Sequence, residues 1–202
     1  MKLIVGLGNP VLRKAQDKDK YSGTRHNLGF MVVDELAKKM DNGQWTMDNK
    51  FKSEIFNFQF SIVNCILAKP QTYMNNSGMA IRKLADYYKI DPEDIIIIHD
   101  ELDLPLGKIK VRIGGAAAGH HGVESVIKEL GTDQFVRVRL GIGNLKSHSG
   151  EHKRISFNAE KFVLEPFIHS EHSQVKHMIK QALKALNLLL EKGLEQAQNQ
   201  FN

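Results

Sequence analysis

The sequence predicts an α/β fold, a single domain spanning residues 1–202 with a twisted mixed, largely parallel sheet flanked by helices. Three observations carry that expectation. Short apolar runs alternate with segments of helical periodicity along the chain, the pattern of strands covered by helices. The run Ile95-Ile96-Ile97-Ile98 is too apolar for a strand with one wet face and fits a central strand covered on both. The first apolar run, Lys2 to Leu7, stops at Gly8-Asn9-Pro10, as a buried strand entering a turn does.

The elements follow in order. After the first strand comes a charged stretch, Arg13 to Lys20, expected as an exposed loop. Asn27 to Met40 places Val32, Val33, Leu36, Ala37 and Met40 at helical spacing, and Phe51 to Lys69 reads as two successive strands. Ser77 can cap a helix whose Ile81, Leu84, Ala85 and Tyr88 share a face, and which ends before Pro92. The isoleucine strand leads into His99-Asp100-Glu101. A strand from Lys108 to Ile113, a glycine- and alanine-rich connection from Gly114 to Gly122, a helix from Val123 to Leu130 and a strand from Val136 to Ile142 come next. A long helix from about Glu171 to Leu190 aligns Val175, Ile179, Ala182, Leu183, Leu186 and Leu190, with packing on its own core as the simplest expectation.

With 42% hydrophobic residues the chain can enclose a sizeable core. Neither a signal-peptide pattern nor an apolar stretch near the ~20 residues of a membrane span is visible, so a cytoplasmic protein without membrane association is expected. The lone Cys65 sits in an apolar run and reads as a buried thiol. A formal charge of +5 makes an anionic partner plausible without naming one. Lys108, Lys110, Arg112, Arg137 and Arg139 occupy two strand-like segments, while Lys146, His148, His152, Lys153 and Arg154 fall in a polar stretch. If the two strands are neighbours, their cations form a phosphate-contacting stripe; otherwise they are solvated charges on unrelated faces.

Gly6-Leu7-Gly8-Asn9-Pro10-Val11 begins like a dinucleotide fingerprint, but the third glycine is missing and Pro10-Val11 does not open a helix, which argues against a dehydrogenase. The turn instead puts Asn9, an amide with donor and acceptor, at the carboxyl edge of the sheet, where ligands of open α/β folds collect. His26 in Thr24-Arg25-His26-Asn27 opens a helix. An imidazole there can take a proton from water near neutral pH, although taken alone it also fits a surface or capping residue. Asp100, where the isoleucine strand runs out, is the best partner for it; a cap on the following turn is the alternative. Asp100, Glu101 and Asp103 raise the question of a metal, but no further ligands stand at suitable spacing, and no metal or cofactor is expected. In the turn-rich segment from Lys69 to Gly78, Asn75 can hold a substrate amide or a water and Met74 can wall a pocket, while a plain helix cap explains the same residues.

Five motifs taken together go further. Gly6-Leu7-Gly8-Asn9-Pro10, Tyr21-Ser22-Gly23-Thr24-Arg25-His26-Asn27, Pro70-Gln71-Thr72-Tyr73-Met74-Asn75, His99-Asp100-Glu101-Leu102-Asp103-Leu104-Pro105 and Arg137-Val138-Arg139-Leu140-Gly141-Ile142-Gly143, in this order and spacing, closely resemble the bacterial-type peptidyl-tRNA hydrolases. The resemblance runs from Lys2 past Phe162-Val163-Leu164. It implies an esterase that frees tRNA from peptidyl-tRNA, with His26 activating water, Asp100 orienting His26, and Asn9 and Asn75 holding substrate and water. It further implies that Tyr21 and Met74 line the pocket and that Lys110, Arg112 and Arg139 meet the tRNA backbone. A monomer without an obligate protein partner is expected. A non-catalytic RNA-binding relative is the alternative.

Two departures from the family pattern stand out. Where the family usually has a glycine and a short link to the tyrosine, Val11 begins a longer spacer to Tyr21, an insertion of about seven residues of a kind that costs little in loop entropy. In Gly119-His120-His121-Gly122 the family usually reads His-Asn-Gly, so His121 stands where an asparagine commonly binds substrate or water. Histidine also offers one donor and one acceptor, but once protonated it would place a cation beside the ester and oppose protonation of His26.

Overall fold

The computed structural model describes residues 1–10, 21, 23–40, 43–143 and 158–202. The charged stretch Arg13 to Lys20 and the cations from Lys146 to Arg154 lie outside the described residues.

The four isoleucines form the start of the strand at the middle of the architecture because both sides of it are covered. Seven strands are named in chain order: β1 (Lys2–Gly6), β2 (Thr46–Asp48), β3 (Ser53–Phe60), β4 (Val63–Pro70), β5 (Ile95–Pro105), β6 (Ile109–Ile113) and β7 (Val136–Gly143). They make one sheet in the order β2-β3-β4-β1-β5-β7-β6. β4, β1, β5 and β7 run parallel, while β2, β3 and β6 are antiparallel additions at the two sides. Successive side chains of a strand point to opposite faces. Accordingly Ile96 and Ile98 join one core and Ile95 and Ile97 the other.

The helices divide between those faces. The first core is closed by α1 (Leu28–Ala37), α4 (Ala159–Val163), α5 (His172–Lys192) and α6 (Leu194–Phe201). The second is closed by α2 (Ser77–Tyr88) and α3 (His121–Leu130). α5 buries Val175, Ile179, Ala182, Leu183 and Leu186 against the chain's own core, in line with their spacing. Gly193, at φ 83°, ends it and starts α6, whose following residue Asn202 brackets the backbone N–H and C=O of Val111 at 2.8 Å each. That contact satisfies part of the open edge of β6.

Several local expectations need correction. Ser77 is the first residue of α2 and not its cap; its hydroxyl donates back to the Tyr73 carbonyl, and Asn76 holds the cap position without a side-chain bond. α1 is preceded by a tight 3-10 turn over Arg25–Asn27, so His26 lies on that turn and not in the helix. α3 starts at His121, two residues before the apolar positions that mark it in sequence. β2 and α4, three and five residues long, are too short to leave a periodic signal.

Since β4, β1, β5 and β7 are parallel, their carboxyl ends share one edge of the sheet. That edge carries Asn9 after β1, Met74 after β4 and Asp100 within β5. α1 approaches the same edge very closely: a Cβ on Gly29 would overlap the Ile98 carbonyl and the Leu7 backbone. Only glycine lets the helix sit there, and the turn bearing His26 is delivered with it.

Candidate active site

His26 and Asp100 meet at this edge. His26 is 9% exposed and Asp100 2% exposed, and His26 Nδ1 lies 3.0 Å from Oδ1 and 3.1 Å from Oδ2 of the carboxylate. A carboxylate only accepts, so the ring donates from Nδ1 and the lone pair is left on Nε2. Burial opposes ionisation of Asp100, but the two imidazoles beside it, His26 and His120, more than offset that and hold the carboxyl well below the usual carboxylate range.

The second imidazole is the residue that sequence reasoning missed. His120 Nε2 lies 3.0 Å from Asp100 Oδ1, its ring centroid 4.9 Å from that of His26 and 4.8 Å from that of His99. His120 is also the N-cap of α3, and its Nδ1 accepts from the backbone N–H groups of Gly122 and Val123 at 3.1 and 3.3 Å. His99 is fully enclosed. Its Nδ1 donates to the Asp100 carbonyl at 2.7 Å, its Nε2 has no hydrogen-bond partner among the described residues, and burial first, then the neighbouring His120, push its pKa well below the ordinary imidazole value.

His121, by contrast, is 59% exposed in its side chain and turns its Nδ1 to Glu124 at 3.0 Å. The imidazole that lies against His26 is therefore His120 and not the residue at the family's asparagine position. His121 still borders the cleft over the cluster. That cleft measures about 170 Å³, and its walls include His26, Asp100, Leu102, His120, His121 and Val163.

The predicted substrate-binding residues form an adjoining group. Asn9 and Asn27 exchange two bonds, Asn9 N–H to Asn27 Oδ1 at 2.8 Å and Asn27 Nδ2 to the Asn9 carbonyl at 2.9 Å, which joins the β1 turn to the His26 turn. Asn9 Oδ1 accepts from the Met74 N–H at 2.9 Å, so its acceptor is committed and its NH₂ group is what remains to offer. Met74 is buried, and a Cβ on Gly122 would overlap its sulfur and press on His120 Cε1, which places Met74 against the histidine cluster. Asn75 follows Met74 in the same tight turn and is exposed. Tyr21 packs edge-on to Tyr73 at 6.4 Å, and Tyr73 holds a positive φ of 58°, a conformation that costs a non-glycine residue energy and recurs at binding sites.

Arg25, beside His26, anchors the turn from behind. Its Nη2 donates to both Glu171 carboxylate oxygens at 2.9 and 2.7 Å, its Nη1 donates to the Pro166 carbonyl, and the guanidinium lies 4.4 Å from the Phe162 ring centre. No sequence pattern announces this role.

β6 and β7 are neighbours, with Lys110 opposite Arg139 and Arg112 opposite Arg137, so the four cations share one face. Arg137 is nevertheless not part of an outward stripe. It is 2% exposed and donates to the carbonyls of Gly114, Gly115 and Ala116, clamping the glycine-rich loop that leads to His120. Burial, helped by Arg112 and Arg139, pushes its pKa down to about 10. Arg139 is paired with Glu101 at 3.0 Å; Lys110 is exposed and Arg112 half-buried.

The carboxylates that raised the question of a metal do not converge, because Glu101 serves Arg139 and Asp103 is exposed. Among the described residues, His26, Asp100 and His120 are the group whose ligand atoms come within 4.8 Å of one another. Their separations of 3.0–3.1 Å are those of hydrogen bonds. Cys65 is buried, and its burial raises its pKa, as expected of a packing thiol.

A protein family described as peptidyl-tRNA hydrolase matches residues 3–202. A peptidyl-tRNA hydrolase of Bacillus cytotoxicus is 45% identical over 208 aligned positions covering all of both chains. One of Aquifex aeolicus is 40% identical over 202, covering all of this chain and 96% of its own. The crystal structure of peptidyl-tRNA hydrolase from Acinetobacter baumannii superposes with a TM-score of 0.84 at 35% identity, over all of this chain and 94% of that one.

Proposed function

Because this chain belongs to the peptidyl-tRNA hydrolase family and hydrolyses the ester joining a peptide to tRNA, we propose that His26 is its general base and Asp100 the group that orients it. The observation that carries this reading is the bond from His26 Nδ1 to the Asp100 carboxylate at the wall of the cleft. With its proton held at Nδ1, the ring presents Nε2 as the basic atom. Nε2 takes a proton from a water, whose oxygen attacks the ester carbonyl. When the tetrahedral intermediate collapses, the C–O bond to the ribose breaks and His26 returns that proton to the departing oxygen. Peptide acid and tRNA hydroxyl are released, and water is the one co-reactant. An ester leaves readily enough that one base and polar stabilisation of the oxyanion suffice.

In the same reading the NH₂ of Asn9 and the exposed amide of Asn75 hold the substrate carbonyl and the water, with His121 contributing from the cleft wall and Tyr21 and Met74 packing the peptide end. Lys110, Arg112 and Arg139 take tRNA phosphates, supported by their common face on β6 and β7. We further propose one domain over residues 1–202, acting as a cytoplasmic monomer without an obligate protein partner; among the described residues no helix is long and apolar enough to cross a membrane. His26→Ala is expected to abolish turnover of purified peptidyl-tRNA while tRNA binding persists. A variant with the parent rate would refute the assignment.

A further inference from the structure

His120 meets two demands at once, and together they fix its chemistry. A backbone N–H can only donate, so Nδ1, which faces the Gly122 and Val123 amides, must carry a lone pair. A carboxylate can only accept, so Nε2, 3.0 Å from Asp100 Oδ1, must carry the proton. The amino end of α3 thus locks the ring as the neutral Nε2–H tautomer, and moving the proton to Nδ1 would set it against two donors. The ring is held edge-to-face against the enclosed His99, and Gly122 permits the close approach of Met74 and Leu7 on the α3 side.

We propose that His120 is a second positioning residue for the hydrolysis, a helix-locked neutral donor that shares the Asp100 carboxylate with His26 and so fixes the direction in which the base is presented. This rests on the reading of His26 and Asp100 given above. Two donors from two elements, the turn before α1 and the start of α3, constrain the carboxylate more than one would. The arrangement also ties the catalytic pair to the glycine-rich loop clamped by Arg137.

The two functions of His120 can be separated by substitution. Asn places a carbonyl where Nδ1 stands and remains a good helix cap, but does not reach Asp100; Gln places an amide N–H near the position of Nε2 and reaches it. His120→Asn keeps the helix cap and is expected to keep KM for peptidyl-tRNA while kcat falls by about 10- to 100-fold, the factor that loss of one hydrogen bond to an ionised group implies. His120→Gln is expected to recover most of kcat, with some loss of Tm. In the ¹⁵N spectrum of the parent protein, the His120 ring should show a protonated Nε2 and a bare Nδ1, a readout independent of any variant's folding. Parent kcat in His120→Asn, or a protonated Nδ1 in the parent, overturns the proposal. If His26→Ala is dead while His120→Asn is fully active, the role of His120 alone falls; if His26→Ala is active, the underlying reading falls.

Discussion

Replacing Asp100 with Asn removes half of the acceptors from a site that contains two donors. The carboxylate accepts from His26 and from His120 at 3.0–3.1 Å, whereas an amide offers one oxygen and one NH₂. His120 cannot adapt, because its Nδ1 is committed to the amides at the start of α3. It therefore retains the amide oxygen, and the NH₂ faces His26. His26 must then accept through Nδ1, which moves its proton to Nε2, the atom required to be basic. The expected outcome is loss of the base with the fold preserved: kcat falls by roughly 10⁴, the effect of the wrong tautomer in a Ser-His-Asp hydrolase, equivalent to about 5.5 kcal/mol in the barrier. Single-turnover hydrolysis of peptidyl-tRNA measures it, with tRNA affinity as the control. An Asp100→Asn enzyme within tenfold of the parent rate would refute the argument from hydrogen-bond polarity.

The Asp100 carboxyl is held below its unfolded value of ~3.9, so the stability it confers is complete above that value and is lost as pH falls through it toward the folded value. Acid titrations followed by circular dichroism should show the parent losing more stability below about pH 4 than Asp100→Asn does. Gly29→Ala, which in an open helix would stabilise, should here cost about 3 kcal/mol or roughly 6–12 °C in Tm, because the added methyl meets backbone that cannot turn aside; an unchanged Tm would contradict the close approach of α1. Lys110→Gln and Arg112→Gln should each raise KM and lower the salt slope of tRNA binding by about 0.7–0.9 with little change in kcat, and Arg139→Gln should do the same while releasing Glu101; unchanged slopes would remove the phosphate role.

What could be read in advance follows from what patterning encodes. The isoleucine strand and the apolar face of α5 are consequences of burial periodicity, and the parallel pairing of β1 and β5 gives them a shared carboxyl edge; His26 reaches Asp100 at that edge only because Gly29 lets α1 and the turn before it come close. The choice between His120 and His121 is different in kind. The family pattern sets His121 at the asparagine position but does not say which of the two adjacent rings meets Asp100; the start of α3 decides that, because the capping ring folds over the first free N–H groups and the next residue points outward. Arg137 and Arg139 likewise share a strand face, but the glycine-rich loop folds over one and leaves the other to Glu101, a difference that alternation does not carry. Ser77 satisfies the composition of a cap, yet the tight turn ahead of α2 shifts the cap position back by one residue.

The most direct test of the central claim is the single-turnover rate of His26→Ala on purified peptidyl-tRNA, with and without added imidazole. If His26 is the base, turnover is lost, falling by at least the roughly 10⁴ expected of Asp100→Asn, at unchanged tRNA affinity, and imidazole restores part of it by entering the space the side chain vacates. Hydrolysis at the parent rate without imidazole would contradict the account.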